Sequence, residues 1–264
     1  MKIFALLSLL AIPALGQTTK GKTEVTWYGH AAFVVKTPGG TTLAIDPWIN
    51  NPADKDKGAL DKIGKVDFIL ITHGHFDHVG DALALQKKSG AKVVTGFELG
   101  GQLAAAGLPK DAAGFDTLGN AGGVLKLNDE VSVALVQAVH SSGFQASENG
   151  PILYSGAALG FVVQIKGGPT LYHTGDTAYF GEMKHIGERF HPDVLLACIG
   201  GHFTMDPKDA ALAARDVGAK RVVPMHYGTF PVLTGTPEEL AAELKKVAPR
   251  AKMVQLQVGE ATPL

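Results

Sequence analysis

The run Val66–Thr72 (Val-Asp-Phe-Ile-Leu-Ile-Thr) ends directly in His73-Gly74-His75-Phe76-Asp77-His78. A continuous apolar stretch of this length reads as a strand buried on both faces, so the sheet that holds it needs a covering layer on each side. Loops at strand ends are where functional side chains collect. With 10 His and 15 Asp among 264 residues, three His and one Asp at these offsets are expected by chance roughly 0.001 times. So many unpaired imidazoles would also be costly to bury without a chemical partner. His73 and His75 are two apart, and in an extended segment their side chains project to one side. Asp77 and His78 follow as the chain turns into a helix, aimed across the same cavity. Imidazole with carboxylate suits zinc, and also iron or manganese. Four such groups, joined by others from elsewhere, can hold two cations.

Short strands are expected first, at Glu24–Tyr28, Ala32–Lys36 and Thr41–Ile45, with a hairpin turn at Pro38-Gly39-Gly40. After the motif come a helix over Val79–Lys88, a strand at Lys92–Thr95 and a helix over Glu98–Ala106. Further strands are expected at Val131–Val139, Gly160–Ile165, Thr170–His173, Val194–Ile199, Arg221–Met225 and Met253–Gln257. Helices are expected over Pro207–Val217, capped by Asp206, and over Pro237–Val247, capped by Thr236 with Glu239 three residues on. No internal repeat or linker interrupts residues 17–264, which read as a single domain. The first strands are joined by turns too short for crossovers, which disfavours a simple doubly wound sheet. The pattern suits an α/β four-layer αββα sandwich, two mixed sheets with outer helices.

Other metal-capable residues stand at the ends of apolar strands. His140 follows Val131–Val139, Asp176 lies in His173-Thr174-Gly175-Asp176-Thr177, and His226 ends Arg221–Met225. His30 closes the first strand. Asp46 is suited to hold a ligand imidazole by its second ring nitrogen. His202 is a candidate for the pocket lining, and His173 for support of Asp176. Trp48, Phe203, Tyr227 and Phe230 are candidates for an apolar wall. His185 and His191 read as surface or structural residues, and Cys198 as a small buried hydrophobe in a strand.

Charge sets limits on partners. Lys and Arg total 24 against 25 acidic residues, so no broad basic field invites nucleic acid. One Cys excludes an internal disulfide framework. At the start of the chain, Lys2 precedes the apolar stretch Ile3–Leu15, and Ala14-Leu15-Gly16 offers small residues to a signal peptidase. Residues 1–16 read as a signal peptide, too short to span a bilayer. The mature chain is expected to be exported, periplasmic or secreted, without stable membrane insertion.

His73–His78 together with His140, Asp176 and His226 resembles the metallo-β-lactamase-fold hydrolases, over residues 22–264. Trp27-Tyr28-Gly29-His30, Asp46-Pro47-Trp48, His173–Thr177, Gly200–Met205 and His226–Pro231 narrow the resemblance to the metal-dependent hydrolases related to ascorbate-phosphate lactonase. A more distant similarity is to the N-acyl-phosphatidylethanolamine phospholipase D group. The resemblance implies that His73, His75 and His140 bind one metal, that Asp77, His78 and His226 bind a second, and that Asp176 bridges them. It also places His30 near the metals, as a donor to substrate or leaving group. No Cys lies near Asp176, unlike the zinc β-lactamases with a Cys ligand. The activity implied is hydrolysis of a small-molecule lactone, ester or amide by a hydroxide shared between two divalent metal ions, zinc first and manganese or iron next, with Asp77 or Asp176 handling the proton. A phosphodiesterase or phospholipase-type hydrolase and a non-catalytic metal-binding protein are the alternatives. If the leader is removed as read, N-terminal sequencing of exported protein starts at Gln17; an intact Met1 on exported material would contradict it.

Overall fold

The computed structural model describes residues 22–55 and 57–264. The expected signal peptide, residues 1–16, lies outside the described residues. Among them the chain runs β1 (Glu24–Trp27), β2 (Phe33–Lys36), β3 (Thr42–Ile45), α1 (Ala59–Lys62), β4 (Phe68–Leu70), α2 (Phe76–Val79), α3 (Ala82–Ser89), β5 (Lys92–Gly96) and α4 (Phe97–Ala105). It continues through β6 (Leu118–Gly119), β7 (Val124–Lys126), β8 (Val131–Gln137), β9 (Gly143–Phe144), β10 (Leu153–Tyr154), β11 (Leu159–Ile165) and β12 (Thr170–His173). The last part holds α5 (Met183–Phe190), β13 (Val194–Cys198), α6 (Pro207–Val217), β14 (Arg221–Met225), α7 (Pro237–Val247), β15 (Lys252–Met253) and β16 (Ala261–Pro263).

Two seven-stranded sheets result, ordered β16-β1-β2-β3-β4-β5-β6 and β15-β14-β13-β12-β11-β8-β7, with β9 and β10 forming a separate ribbon. In the first sheet the pairings from β16 to β3 are antiparallel and those from β3 to β6 parallel. The second repeats that scheme, antiparallel from β7 to β12 and parallel from β12 to β15. No sequence repeat announces this likeness, because a sheet position asks for an apolar residue of suitable size rather than for a particular one.

Strand alternation explains why the first sheet is covered twice. Leu43, Ile45, Leu70 and Val94 point into the core between the sheets. Their neighbours Ala44, Ile69 and Val93 point outward, against Leu85, Leu99 and Leu103 of α3 and α4. The second sheet packs its outer face on α6 and α7, through residues such as Ala210, Ala214 and Leu240. The architecture is the expected αββα sandwich.

Helices α6 and α7 fall on their expected residues. Asp206 accepts from the Asp209 amide, and Thr236 and Glu239 form a reciprocal capping box. Three other expectations shift, each for a visible reason. The buried run Val66–Thr72 pairs as a strand only over Phe68–Leu70, because the Thr72 amide donates to the Asp46 side chain instead of to a neighbouring strand. The helix expected over Val79–Lys88 is broken into α2 and α3 at Gly80, whose φ is +26°. A Cβ there would lie 2.7 Å from the Trp48 backbone. The strand expected over Met253–Gln257 shrinks to Lys252–Met253. The chain then crosses to the first sheet, where β16 pairs with β1.

His173 locks the two sheets together. Its Nδ1 accepts from the Gly175 amide, which forces the proton onto Nε2, and Nε2 donates to the Ala31 carbonyl. The ring is fully buried, and burial pushes its pKa below 6.5. Protons therefore bind the unfolded chain more readily than the folded one, and stability falls as the pH drops below about 6.5. Urea melts of chelator-treated protein are expected to show a lower midpoint at pH 5 than at pH 7.5, with a smaller difference in His173→Gln.

Candidate metal centre

Asp46 ends β3 in the left-handed region, with φ 44°, and its side chain is fully buried. It accepts the Thr72 amide at 2.7 Å, the Thr72 hydroxyl at 2.7 Å and His78 Nδ1 at 2.7 Å. The single Thr72 hydroxyl proton goes to Asp46, so Thr72 Oγ1 accepts from His73 Nδ1, 3.0 Å away. Both His73 and His78 are thereby held with a proton on Nδ1, which makes Nε2 the atom available to a metal. That is the state a metal-binding imidazole needs, with the second ring nitrogen fixed by an outer partner.

The metal-capable nitrogens meet in one place. His73 Nε2 and His75 Nδ1 are 3.0 Å apart, and both rings stand 5.1 Å, centroid to centroid, from that of His140. Asp176 reaches His78 Nε2 at 3.2 Å, His226 Nε2 at 3.0 Å and His140 Nε2 at 3.6 Å. His226 Nε2 is also 3.9 Å from Asp77 Oδ2. Among the described residues, three ligand groups have donor atoms lying within 4.8 Å of one another: His73 with His75 and His140; His30 with Asp77, His78 and His226; and His73 with His78 and Asp176.

Buried atoms in this cluster test whether cations fit. His78 Nε2, Asp176 Oδ1 and both ring nitrogens of His226 are buried without a properly aligned hydrogen bond. Each such orphan costs about 1–3 kcal/mol; three of them, His78 Nε2, Asp176 Oδ1 and His226 Nε2, lie in the ligand cluster, which is unreasonable for a purely structural cluster. Zn–N distances near 2.0–2.1 Å in a tetrahedral site put donor atoms roughly 3.3 Å apart, the spacing seen around Asp176.

The electrostatics agree. Burial lowers the pKa values of His73, His75 and His140, which keeps these rings neutral with a lone pair to give. Burial opposes ionisation of Asp77, but the hydrogen bond from His30 and the field of His78 outweigh it and hold the carboxyl at about 2. Asp176 likewise stays far below the usual carboxylate range against its own burial, through His226 and His78. His78 is the exception among the rings: against its own burial, Asp176 and Asp46 hold its pKa well above 6.5, so a metal at Nε2 must displace a proton there.

His30 is fully buried with both ring nitrogens engaged. Burial lowers its pKa to about 4, so it is neutral near pH 7. Nε2 donates to Asp77 Oδ2 at 3.0 Å, and Nδ1 accepts from the Thr229 hydroxyl at 2.6 Å. The His30 carbonyl meanwhile accepts from the His226 amide at 2.9 Å, tying the first β-turn of one sheet to the end of β14 in the other. His30, Asp46, His202 and His226 all have positive φ, a strained state for non-glycine residues that clusters at functional sites.

The remaining candidates separate. Trp48 and Phe230 stack at 5.7 Å beside His30. Tyr227 instead stacks on Trp27, in the inter-sheet core. His202 and Phe203 are exposed and pack on each other, outside the ligand groups. His185 pairs with Glu188 on the surface, and His191 ends α5. Cys198 is fully buried in β13. Sequence reasoning passed over Thr72, Thr229 and Phe76. All three sit in or beside the motifs it singled out, where their position was the available signal.

A family model described as Beta-lactamase superfamily domain matches residues 24–226. The chain belongs to the beta-lactamase superfamily. A UPF0173 metal-dependent hydrolase of Anaeromyxobacter sp. (strain K) is 61% identical over 230 residues, covering 87% of this chain and 83% of the relative. Another from Thermodesulfovibrio yellowstonii is 45% identical over 259 residues, 97% of each chain. The solved structure of Igni18, a metallo hydrolase from Ignicoccus hospitalis, matches with TM-score 0.80 and 35% identity over 92% of this chain and 99% of that one. This superfamily member is a metal-dependent hydrolase, and its cluster of His and Asp side chains can hold the metal. Asp46→Asn removes a charged acceptor shared by Thr72 and His78. It is expected to weaken metal affinity about 10–100-fold, read by competition with a chromogenic chelator.

Proposed function

We propose that this enzyme hydrolyses a small-molecule ester, lactone or amide with two divalent cations, zinc ahead of manganese or iron. The observation that carries the reading is the position of Asp176. One buried carboxylate lies within 3.6 Å of an imidazole from the His73–His75–His140 group and of two from the Asp77–His78–His226 group. In this reading His73, His75 and His140 hold one cation, Asp77, His78 and His226 the other, and Asp176 both. Cations there supply Lewis acidity and bring the pKa of bound water from 15.7 towards about 7.

The chain's own residues do the rest. Asp46, through Thr72 and His78, and His30, through Asp77, fix the ligands so that little reorganisation accompanies reaction. Asp77 keeps one oxygen engaged by His30 and leaves the other for the proton of the attacking water. That proton passes to the leaving oxygen or nitrogen as the carbonyl–heteroatom bond breaks and the new carbon–oxygen bond forms. Carbonyl substrates are preferred to phosphodiesters because the chain lacks a run of basic residues suited to a polyanion. The apolar leader of residues 3–15 supports an exported enzyme.

Elemental analysis is expected to find about two equivalents of divalent metal per chain. Chelation is expected to abolish turnover of an ester or lactone panel, and His75→Ala to reduce it by about a hundredfold or more, since losing a ligand exceeds the 10–100-fold typical of an outer partner. Unchanged turnover in His75→Ala protein stripped of metal would overturn the reading.

A further inference from the structure

The aromatic wall beside His30 runs on through Trp48 and Phe76 into an open cleft of 350 Å³, whose lining includes Trp48, Gly74, Phe76, Asp81 and Phe144. Gly74 and Phe76, both in the lining, flank the proposed ligand His75 in the chain. Its two sides are fixed by separate devices. On one side Trp48 packs at 5.6 Å against Phe76 and at 5.7 Å against Phe230, and Gly80 lets the backbone of α2 close onto Trp48. On the other side the ribbon carrying Phe144 is pinned to the motif. The Gly74 amide donates to Ser142 Oγ at 3.1 Å, and Ser142 Oγ bonds Ser155 Oγ at 2.7 Å. Any side chain at residue 74 would strike Ser155 Oγ, since a Cβ would stand 2.3 Å away.

The chemistry of this lining is one-sided. No Lys or Arg is among its residues, and the one charged residue is Asp81. Its carboxylate is occupied by the amides of Ile49 and Asn50 and by the Asn50 side chain. An anionic group entering here meets no counter-charge. Meanwhile Phe76 stands 66% exposed at the first position of α2. An exposed ring that continues the half-buried pair Trp48 and Phe230 beside the cluster is an apolar surface awaiting a ligand.

The geometry points to a substrate that is uncharged and carries an apolar acyl or aryl portion, which lies along Trp48, Phe76 and Phe144 while its carbonyl faces the His75 side of the metal cluster. This rests on the proposed carbonyl hydrolysis and narrows it, setting phosphorylated and other anionic substrates aside. Trp48, Phe76 and Phe144 are specificity residues in this assignment.

Two measurements test it. With metal-loaded enzyme, kcat/KM for p-nitrophenyl octanoate is expected to exceed that for the acetate by about tenfold, a fraction of the roughly fourfold per methylene that complete burial gives. Phe76→Ala is expected to bring the ratio near one, Phe76→Leu to keep part of it, and Phe115→Ala, at an exposed ring outside the cleft lining, to keep all of it. With metal-free protein, the neutral ketone benzylacetone is expected to quench tryptophan fluorescence, more weakly in Phe76→Ala, while phenyl phosphate does not. An octanoate-to-acetate ratio that Phe76→Ala leaves unchanged, or phenyl phosphate binding as tightly as benzylacetone, overturns the assignment. Quenching by benzylacetone from a protein that turns over no ester, lactone or amide would support the cleft and sink the proposed reaction.

Discussion

The site depends on one fully buried carboxylate. Asp46 has no Lys or Arg beside it in the hydrogen-bond network; its partners are an amide, a hydroxyl and the His78 imidazole, whose pKa it helps to raise. Burying a charge is tolerated only when hydrogen bonds replace its water, and these three do so. The arrangement also does two structural jobs. It diverts the Thr72 amide from the sheet, which ends β4 and releases the motif into the cavity. It selects the tautomers of His73, through Thr72, and of His78, so both rings offer their far nitrogens. Fold and chemistry meet here, because the donors that end the strand also orient the ligands.

From that point the site is assembled across a seam. Asp46, His73, His75, Asp77 and His78 follow strands of the first sheet, whereas His140, Asp176 and His226 follow strands of the second. The sheets are clamped beside the cluster by His173 on the Ala31 carbonyl and by the His226 amide on the His30 carbonyl. Strained backbone at His30 and His226 is held in place by the second of these contacts, and at Asp46 by its bonds to Thr72 and His78. A ligand set drawn from two sheets needs such clamps, since a displacement of an ångström would spoil its geometry.

Opposite kinds of surface then divide the work around the cluster. Its interior is polar, with ionised carboxylates beside the His78 ring, whose pKa they raise, and beside rings such as His73 that burial keeps neutral. Its rim is aromatic, with Trp48, Phe76 and Phe230 in mutual contact and His30 beneath them. A rim of this kind excludes water from the reacting bond and favours apolar partners, while the interior concentrates charge where cations are needed.

Much of this was already legible in the chain. The motif His73–His78 after an apolar run, and His140, Asp176 and His226 at later strand ends, could be picked out because metal-capable residues at strand termini break the apolar pattern locally. The capped helices α6 and α7 were equally plain, since Asp206-Pro207 and Thr236–Glu239 are local signals that need no distant partner. Local pattern could not show that Gly80 splits a helix to admit Trp48, that the final strand crosses to the other sheet, or that Tyr227 leaves the aromatic wall for Trp27. Those outcomes depend on which surfaces meet after folding. The engagement of both nitrogens of His30, and the tautomers set by Asp46 and Thr72, were decided at the same level. Residue type and spacing determine which atoms can bind a cation, but only contacts between residues far apart in the chain determine which lone pairs are left free to do so.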